Sequence, residues 1–375
     1  MPYFDYENIF CQCWGKYVSD VQTKNVYLKV RSNVMKIWMP DRVYFEPTAY
    51  DYPMGRKIQA FCSEHQIPML ETTSHNQVRD IPGNTEKARY ANAKRTLVVG
   101  TKKSLKLEVC KPSAHYQFSL MTNCPGHCEY CYLFTTQGKK PYVRVYVNLD
   151  ETFKTIDKYI AERLPKKTVF EAASTGDPLA VEHITGGLCE TITHFGTLTH
   201  AKLRVVSKYA NVQPILDAKH GGNTRFRFSI NTPYVVDTFE HQTDSVEKRL
   251  AAAAKIAKAG YSLGFIIAPI MLHAGWQEQF EKLIKMASEY LKDYTQKTIT
   301  FELIQHRYTS NAKAIIEQRY PNTKLDMDES KRKLKYGKYG RMKYVYPKEQ
   351  ATEMKEYLSE MIMNAFPNGR IEYFT

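Results

Sequence analysis

The chain has 375 residues, room for one large domain or two smaller ones, with 53 Lys plus Arg against 39 Asp plus Glu and a net charge of +14. That balance points to a polyanionic partner such as nucleic acid, ahead of an anionic membrane surface or a merely soluble basic protein. No apolar run reaches about eighteen residues, so no membrane span is expected, and the opening MPYFDYENIFCQC lacks the basic start and apolar core of a secretory leader.

Residues 1–38 carry Cys11 and Cys13, mixed polarity and no clear period, and read as a poorly ordered N-terminal extension. Met35 and Met39 stand just before the first clear strand, which leaves the true start site open. Residues 39–110 form an N-terminal α/β unit. In it RVYFEP (Arg42 to Pro47) is a strand, Pro53 to Gln66 a helix burying Ile58, Phe61 and Cys62, IPMLET a strand, and Thr96 to Gly100 a buried strand.

From 111 to 310, strands and helices alternate. The predicted strands are His115 to Met121, Thr168 to Ala173, Lys202 to Ser207, Arg225 to Asn231, Leu263 to Ala268 and Thr298 to Ile304. Predicted helices include Glu151 to Leu164 behind an Asp150 cap, SVEKRLAAAAKIAKAG stopping at Gly260, and WQEQFEKLIKMASEYLKD. Six such repeats predict a parallel sheet curling into an incomplete barrel, its chemistry on loops at the strands' C-terminal ends.

One such loop carries CPGHCEYC. Cys124, Cys128 and Cys131 have the spacing Cys-x3-Cys-x2-Cys, which brings three thiolates to three corners of an iron–sulfur cube and leaves the fourth iron without a protein ligand. A structural zinc site is the alternative. It needs four ligands, and with no second Cys-x2-Cys downstream the fourth falls to His115 or His127. The other cysteines are scattered, so no disulfide framework is expected, and an open cluster implies a reducing compartment. Cys189 and Cys62 read as core.

Residues 311–375 form a C-terminal DNA-contacting β-hairpin and packing helix. In KRKLKYGKYGRMKYVYP (Lys331 to Pro347) cations and aromatics interleave around a glycine-flanked turn, so that ammonium groups meet phosphates while a phenol wedges into a base stack. A helix near Lys348 to Ala365 packs back on the barrel.

The cysteine spacing resembles the signature loop of the radical S-adenosylmethionine (SAM) enzymes. A wider set of segments is more specific: TTSHNQVR, AKRTLVVG, KPSAHY, CPGHCEYCYL, KPYVRVYVNLD, RFRFSIN, FELIQHRYT, EQRYP and IEYFT. Together, from about residue 42 to the C-terminus, they resemble the spore photoproduct lyase family. The resemblance implies a partial (β/α)6 radical SAM barrel, a [4Fe-4S] cluster, S-adenosyl-L-methionine, and repair of 5-thyminyl-5,6-dihydrothymine in UV-damaged DNA to two thymines through a 5′-deoxyadenosyl radical. It implies that Cys124, Cys128 and Cys131 hold the cluster. Tyr130 and Tyr132 then lie beside SAM and relay a hydrogen atom between the lesion site and 5′-deoxyadenosine. Lys208 pairs with the methionine carboxylate, Ser229 and Ala268 contact SAM at successive strand ends, and Lys338, Tyr339 and Arg341 enter the DNA at the hairpin. It further implies a bacterial spore or germinating cell's cytoplasm and an electron donor such as flavodoxin or ferredoxin. A monomer or weak dimer, with no membrane partner, is expected.

This chain departs from the family pattern where a cysteine thiol normally quenches the product radical. FEAASTGDP places Ser174 there, and a serine O–H bond is too strong to give its hydrogen to a thymine methyl radical. Cys110, in LEVCKPSAHY, is the replacement donor favoured here, with Tyr130 or Tyr132 acting directly as the second route and an impaired or changed enzyme as the third. Gly176 stands where a serine is common, which removes one possible hydrogen bond to SAM. Two other functions compete: a radical SAM enzyme acting on another nucleic-acid substrate, and a non-catalytic metal-stabilised DNA-binding protein.

Overall fold

The computed structural model describes residues 37–133, 141–172, 174–336 and 342–375. The expected N-terminal extension, up to residue 36, and the hairpin residues Lys338, Tyr339 and Arg341 lie outside them. Among the described residues no helix is long and apolar enough to cross a membrane.

Eight strands make the main sheet. Its parallel core is β1 (Tyr116–Gln117), β2 (Thr168–Glu171), β3 (Ala201–Ser207), β4 (Thr224–Ile230), β5 (Ser262–Ile270) and β6 (Thr300–Gln305), in that spatial order. This is the expected six-stranded half-barrel. Its strands alternate strictly. Ala201, Leu203 and Val205 of β3 and Phe226, Phe228 and Ile230 of β4 are wholly buried in the apolar core. Arg204, Arg225 and Arg227 take the intervening positions on the opposite face and meet one another's carboxylate partners inside the curl. The helices Val246–Lys258 and Trp276–Tyr290 link β4 to β5 and β5 to β6, and the first is capped by the Ser245 hydroxyl. The β3–β4 connection holds only a short 3-10 turn, Gln213–Ile215, where a helical segment was expected.

Three features differ from the expectation. The predicted strand His115 to Met121 is split: Tyr116–Gln117 pairs with β2, while Met121–Thr122 crosses to pair antiparallel with Val143–Tyr146 of a second, five-stranded sheet. That sheet also holds Arg42–Phe45, Met69–Glu71 and Thr96–Gly100, so the N-terminal unit draws two of its strands from beyond residue 110. Helix Leu149–Ala161 begins after Asn148 rather than at an Asp150 cap, and Asp150 sits in its first turn, where a negative charge faces the helix dipole favourably. Finally, the closing IEYFT stretch forms β7 (Arg370–Phe374), a further parallel strand beside β6. A five-residue terminal run carries too little periodicity to announce itself as a strand.

The hairpin pairs Lys333–Tyr336 with Met342–Val345 in antiparallel register, and Tyr336 is 78 % exposed. The helix Lys348–Ala365 buries Met354, Leu358 and Ile362 along one face, as expected of a packing helix.

Candidate active site and metal centre

The cysteine loop lies at the joint between the two sheets, because the chain leaves β1, pairs with the other sheet at Met121–Thr122, and only then turns into Cys124. Asn123 opens the turn at a positive φ of 63°, its side-chain amide donating to the Tyr142 carbonyl at 2.9 Å. Lys94 donates to the Cys124 carbonyl at 2.8 Å, and Tyr320 to the His127 carbonyl at 3.0 Å. His127–Cys128 pairs antiparallel with Glu240–His241, and the Glu129 carboxylate meets His241 at 2.8 Å. The loop is thus held from both sides before any ligand binds. His115 does not face it: its Nδ1 accepts the Val169 N–H at 2.9 Å on β2, and the His127 ring stacks edge-on against Tyr90. This removes His115 as the fourth ligand that zinc would need.

Burial pushes the Cys124 thiol up to about 11 and the Cys128 thiol higher still. The burial that raises these thiols is the same dry pocket in which a cationic cluster would take them as thiolates, releasing their protons.

The two motif tyrosines separate. Tyr130 donates to Glu240 and receives the Lys208 ammonium at 2.5 Å. Glu240 is fully enclosed. Burial alone would raise its carboxyl, but Arg249 at 2.6 Å and Lys208 outweigh that and hold it near 2. Tyr132, on the other side, donates its hydroxyl to the Ser174 carbonyl. Ser174 in turn meets the thiol of Cys110, with Sγ 3.4 Å from Oγ. Residues 64 positions apart are in contact here. Burial raises the Cys110 pKa, so it is a thiol with its hydrogen in place.

Lys208, Ser229 and Ala268 stand at or near the C-terminal ends of β3, β4 and β5, three adjacent strands. Gly176 is in a parallel bridge with Asn123. A Cβ at Gly176 would lie 2.7 Å from both the Asn123 carbonyl oxygen and Met121 Cγ, so any side chain here requires the loop's first turn to shift. Gly176→Ala should cost about 1–3 kcal/mol through this overlap. A lower thermal midpoint and lower iron retention after reconstitution would register it; unchanged values would mean the backbone relaxes freely.

Sequence reasoning missed Glu240, Arg249, Lys94 and Asp177. Lys94, Asp177 and Arg249 lie inside the quoted segments AKRTLVVG, FEAASTGDP and SVEKRLAAAAKIAKAG, but no spacing marks any of them as part of the site, and Glu240 lies in no quoted segment. Asp177 is buried; one oxygen accepts the Lys208 N–H at 2.8 Å while the other finds no partner among the described residues. Burial pushes its pKa up to about 6. An orphaned carboxylate oxygen beside a cysteine loop and a strand-end lysine suits the ammonium of a bound amino acid.

The family model for spore photoproduct lyase matches residues 38–375. The chain belongs to the spore photoproduct lyase family. A curated spore photoproduct lyase of Geobacillus sp. (strain Y412MC61) is 52 % identical over 341 residues, 91 % of this chain and all of that protein. One from Bacillus subtilis (strain 168) is 50 % identical over 338 residues, 90 % of this chain and 99 % of that protein. A solved spore photoproduct lyase complexed with dinucleoside spore photoproduct superposes with a TM-score of 0.88 at 51 % identity, covering 91 % of this chain and all of that one. A mutant spore photoproduct lyase with bound AdoMet and dinucleoside spore photoproduct matches equally well. The half-barrel is thus that of a radical SAM lyase.

Proposed function

We propose that this chain is a radical SAM DNA-repair lyase that reverses the spore photoproduct, 5-thyminyl-5,6-dihydrothymine, to two thymines. One observation carries the reading: the three-thiol loop, the Lys208–Glu240 pair and the Cys110–Ser174–Tyr132 contact share one mouth of the half-barrel. Cys124, Cys128 and Cys131 hold a [4Fe-4S] cluster, and Lys208, Asp177, Ser229 and Ala268 surround S-adenosyl-L-methionine. When bound there, the cluster and S-adenosyl-L-methionine would supply 5′-deoxyadenosyl radical chemistry for removing the C6 hydrogen of the dihydrothymine, after which the methylene bridge would break.

The residues of this chain then close the cycle. Cys110 gives the hydrogen atom of its S–H bond to the thymine methyl radical, forming a C–H bond and leaving the unpaired electron on sulfur. The weaker S–H bond makes this step downhill, whereas the O–H bond of Ser174 is too strong to give. Tyr132, held by the Ser174 carbonyl, passes its phenolic hydrogen to the sulfur and recovers one from the methyl group of 5′-deoxyadenosine. No external oxidant or reductant is consumed in that return.

The hairpin residues Lys338, Tyr339 and Arg341 enter the damaged duplex, supported by the exposure of Tyr336 and the basic strand beside it. A low-potential donor such as flavodoxin or ferredoxin reduces the cluster, and the chain works as a monomer or weak dimer in the cytoplasm of a spore-forming cell.

The test is anaerobic reconstitution with iron and sulfide, followed by SAM, dithionite and a defined dinucleotide photoproduct. Conversion to thymine–thymine with formation of 5′-deoxyadenosine is expected. A protein that takes up no iron, or never forms 5′-deoxyadenosine, rules the reading out.

A further inference from the structure

The turn that carries Cys110 is fastened to the charged interior of the half-barrel through one serine. The turn closes on itself, with Ala114 N–H donating to the Cys110 carbonyl at 2.8 Å and Cys110 N–H to the His115 carbonyl at 3.3 Å. Inside it, the Ser113 hydroxyl donates to Glu171 Oε2 at 2.9 Å and receives Arg227 Nη1 at 3.1 Å. The Ser113 carbonyl receives Arg204 Nη1 at 2.6 Å. Those three partners stand on β2, β4 and β3, three neighbouring strands of the barrel wall.

They are themselves immobilised. Arg227 is 1 % exposed, pairs with Glu171, and meets both oxygens of Glu302 at 2.7 and 3.0 Å. Arg204 joins Glu302 and Glu372, and Tyr373 donates to Glu302. Space for the Arg227 side chain comes from Gly264 on β5, where a Cβ would lie 3.1 Å from Arg227 Cγ and 2.4 Å from Thr300 Oγ1. Glu302 collects Arg204, Arg227 and Tyr373 while Glu171 takes Arg227 and Ser113, so several buried, mutually bonded groups hold the frame in place.

The same frame also sets Ser174, because Glu171 lies three residues before it at the end of β2. Glu171 therefore ties both halves of the Cys110–Ser174 contact to one carboxylate: Ser174 through the chain, Cys110 through Ser113. Cys110 enjoys no regular secondary structure of its own beyond the two-residue strand Glu108–Val109. Beyond the Ser113 hydroxyl, the turn is held by the Arg204 bond to the Ser113 carbonyl and by the His115–Val169 bonds at its far end. Among these ties the hydroxyl is the side-chain contact nearest Cys110 that a single substitution removes.

We infer that Ser113 is a positioning residue for hydrogen return, docking the Cys110 turn onto the Glu171–Arg204–Arg227 frame so that the thiol faces the lesion. This rests on Cys110 being the donor, and it adds that the donor's aim is set from the barrel floor. In this arrangement a thiol built three residues beyond the end of β2 would need no such anchor.

The experiment measures the ratio of trapped-radical adducts to thymine–thymine product, and solvent deuterium in the product methyl group, in anaerobic turnovers. Thiol and phenol hydrogens both exchange with solvent, so deuterium in the methyl reports donation from an exchangeable S–H or O–H group, and its loss in Cys110→Ala assigns that donation to sulfur. Ser113→Ala should raise the adduct ratio about tenfold, as expected for losing two hydrogen bonds that aim a reacting group. Ser113→Thr, which keeps a hydroxyl, should stay close to the parent. The rate of 5′-deoxyadenosine formation reports whether the rest of the barrel is intact. The decisive arm is the background Ser174→Cys, where a thiol stands three residues beyond the end of β2: there Ser113→Ala should leave the adduct ratio unchanged.

An adduct ratio unmoved by Ser113→Ala overturns the inference, as does an equal rise in the Ser174→Cys background, which would mean general damage. Should Ser113→Ala fail to fold, Ser113→Val, which has the shape of Ser113→Thr without its hydroxyl, gives the same comparison, and an adduct ratio in Ser113→Val equal to the parent overturns it. A Cys110→Ala enzyme that makes clean product defeats the donor assignment itself, an outcome separate from failure of the anchor.

Discussion

Cys110→Ala keeps its iron and its cleavage of SAM, yet clean thymine release falls by roughly 100-fold or more and radical-trapped adducts take its place, the scale of loss when a reacting group is removed from its aligned position. The thiol touches Ser174, keeps its proton through burial, and lies in the same contact set as Tyr132. Nothing else in that contact set has an S–H bond. Product analysis by mass spectrometry checks the result, and the double variant Cys110→Ala with Ser174→Cys should recover thymine release by moving the thiol one contact away. Unchanged repair by Cys110→Ala, with no adducts, would assign the donation to Tyr130 or Tyr132 directly.

Arg227→Leu is expected to lower stability by about 3–5 kcal/mol, because it leaves buried carboxylates without their shared cation. Glu171 and Glu302 are 3 % and 1 % exposed, and Arg227 bonds to both. Burial by itself would lower the Arg227 pKa, but these two carboxylates raise it instead, so the guanidinium stays charged at every accessible pH. Thermal unfolding should show a midpoint lowered by roughly 10 °C. Arg95→Leu is the contrast: its partner Asp41 lies at 2.6 Å, but the Arg95 side chain is 59 % exposed. Losing that exposed pair should cost about 0–1 kcal/mol. Equal effects at the two positions would refute a structural role for the interior network.

These two predictions differ in how far the sequence could reach them. Cys110 was a candidate because Ser174 interrupts the family pattern and leaves a reaction without its donor, a chemical argument that needs no coordinates. Arg227 was invisible as a core residue. In TRFRFSI its alternation reads as a strand with one wet face, and period two says nothing about whether that face meets water or the inside of a curled sheet. Gly176 shows the same limit: a missing hydrogen bond to SAM was the natural reading, and the 2.7 Å approach of the Asn123 carbonyl oxygen to its Cβ position was not visible in the sequence.

By itself the sequence determined the three-thiol spacing, the succession of parallel strands, the packing face of the last helix and the absence of a thiol at Ser174, all of which are short-range patterns or single residue identities. Only the tertiary structure decided that the cysteine loop sits at a joint between two sheets, that Glu240 lies between Arg249 and Lys208, and that Ser113 moors the Cys110 turn to the barrel. Such contacts join residues from nine to more than a hundred positions apart, and they exist only once the chain folding brings separate strands, helices and loops within hydrogen-bond reach.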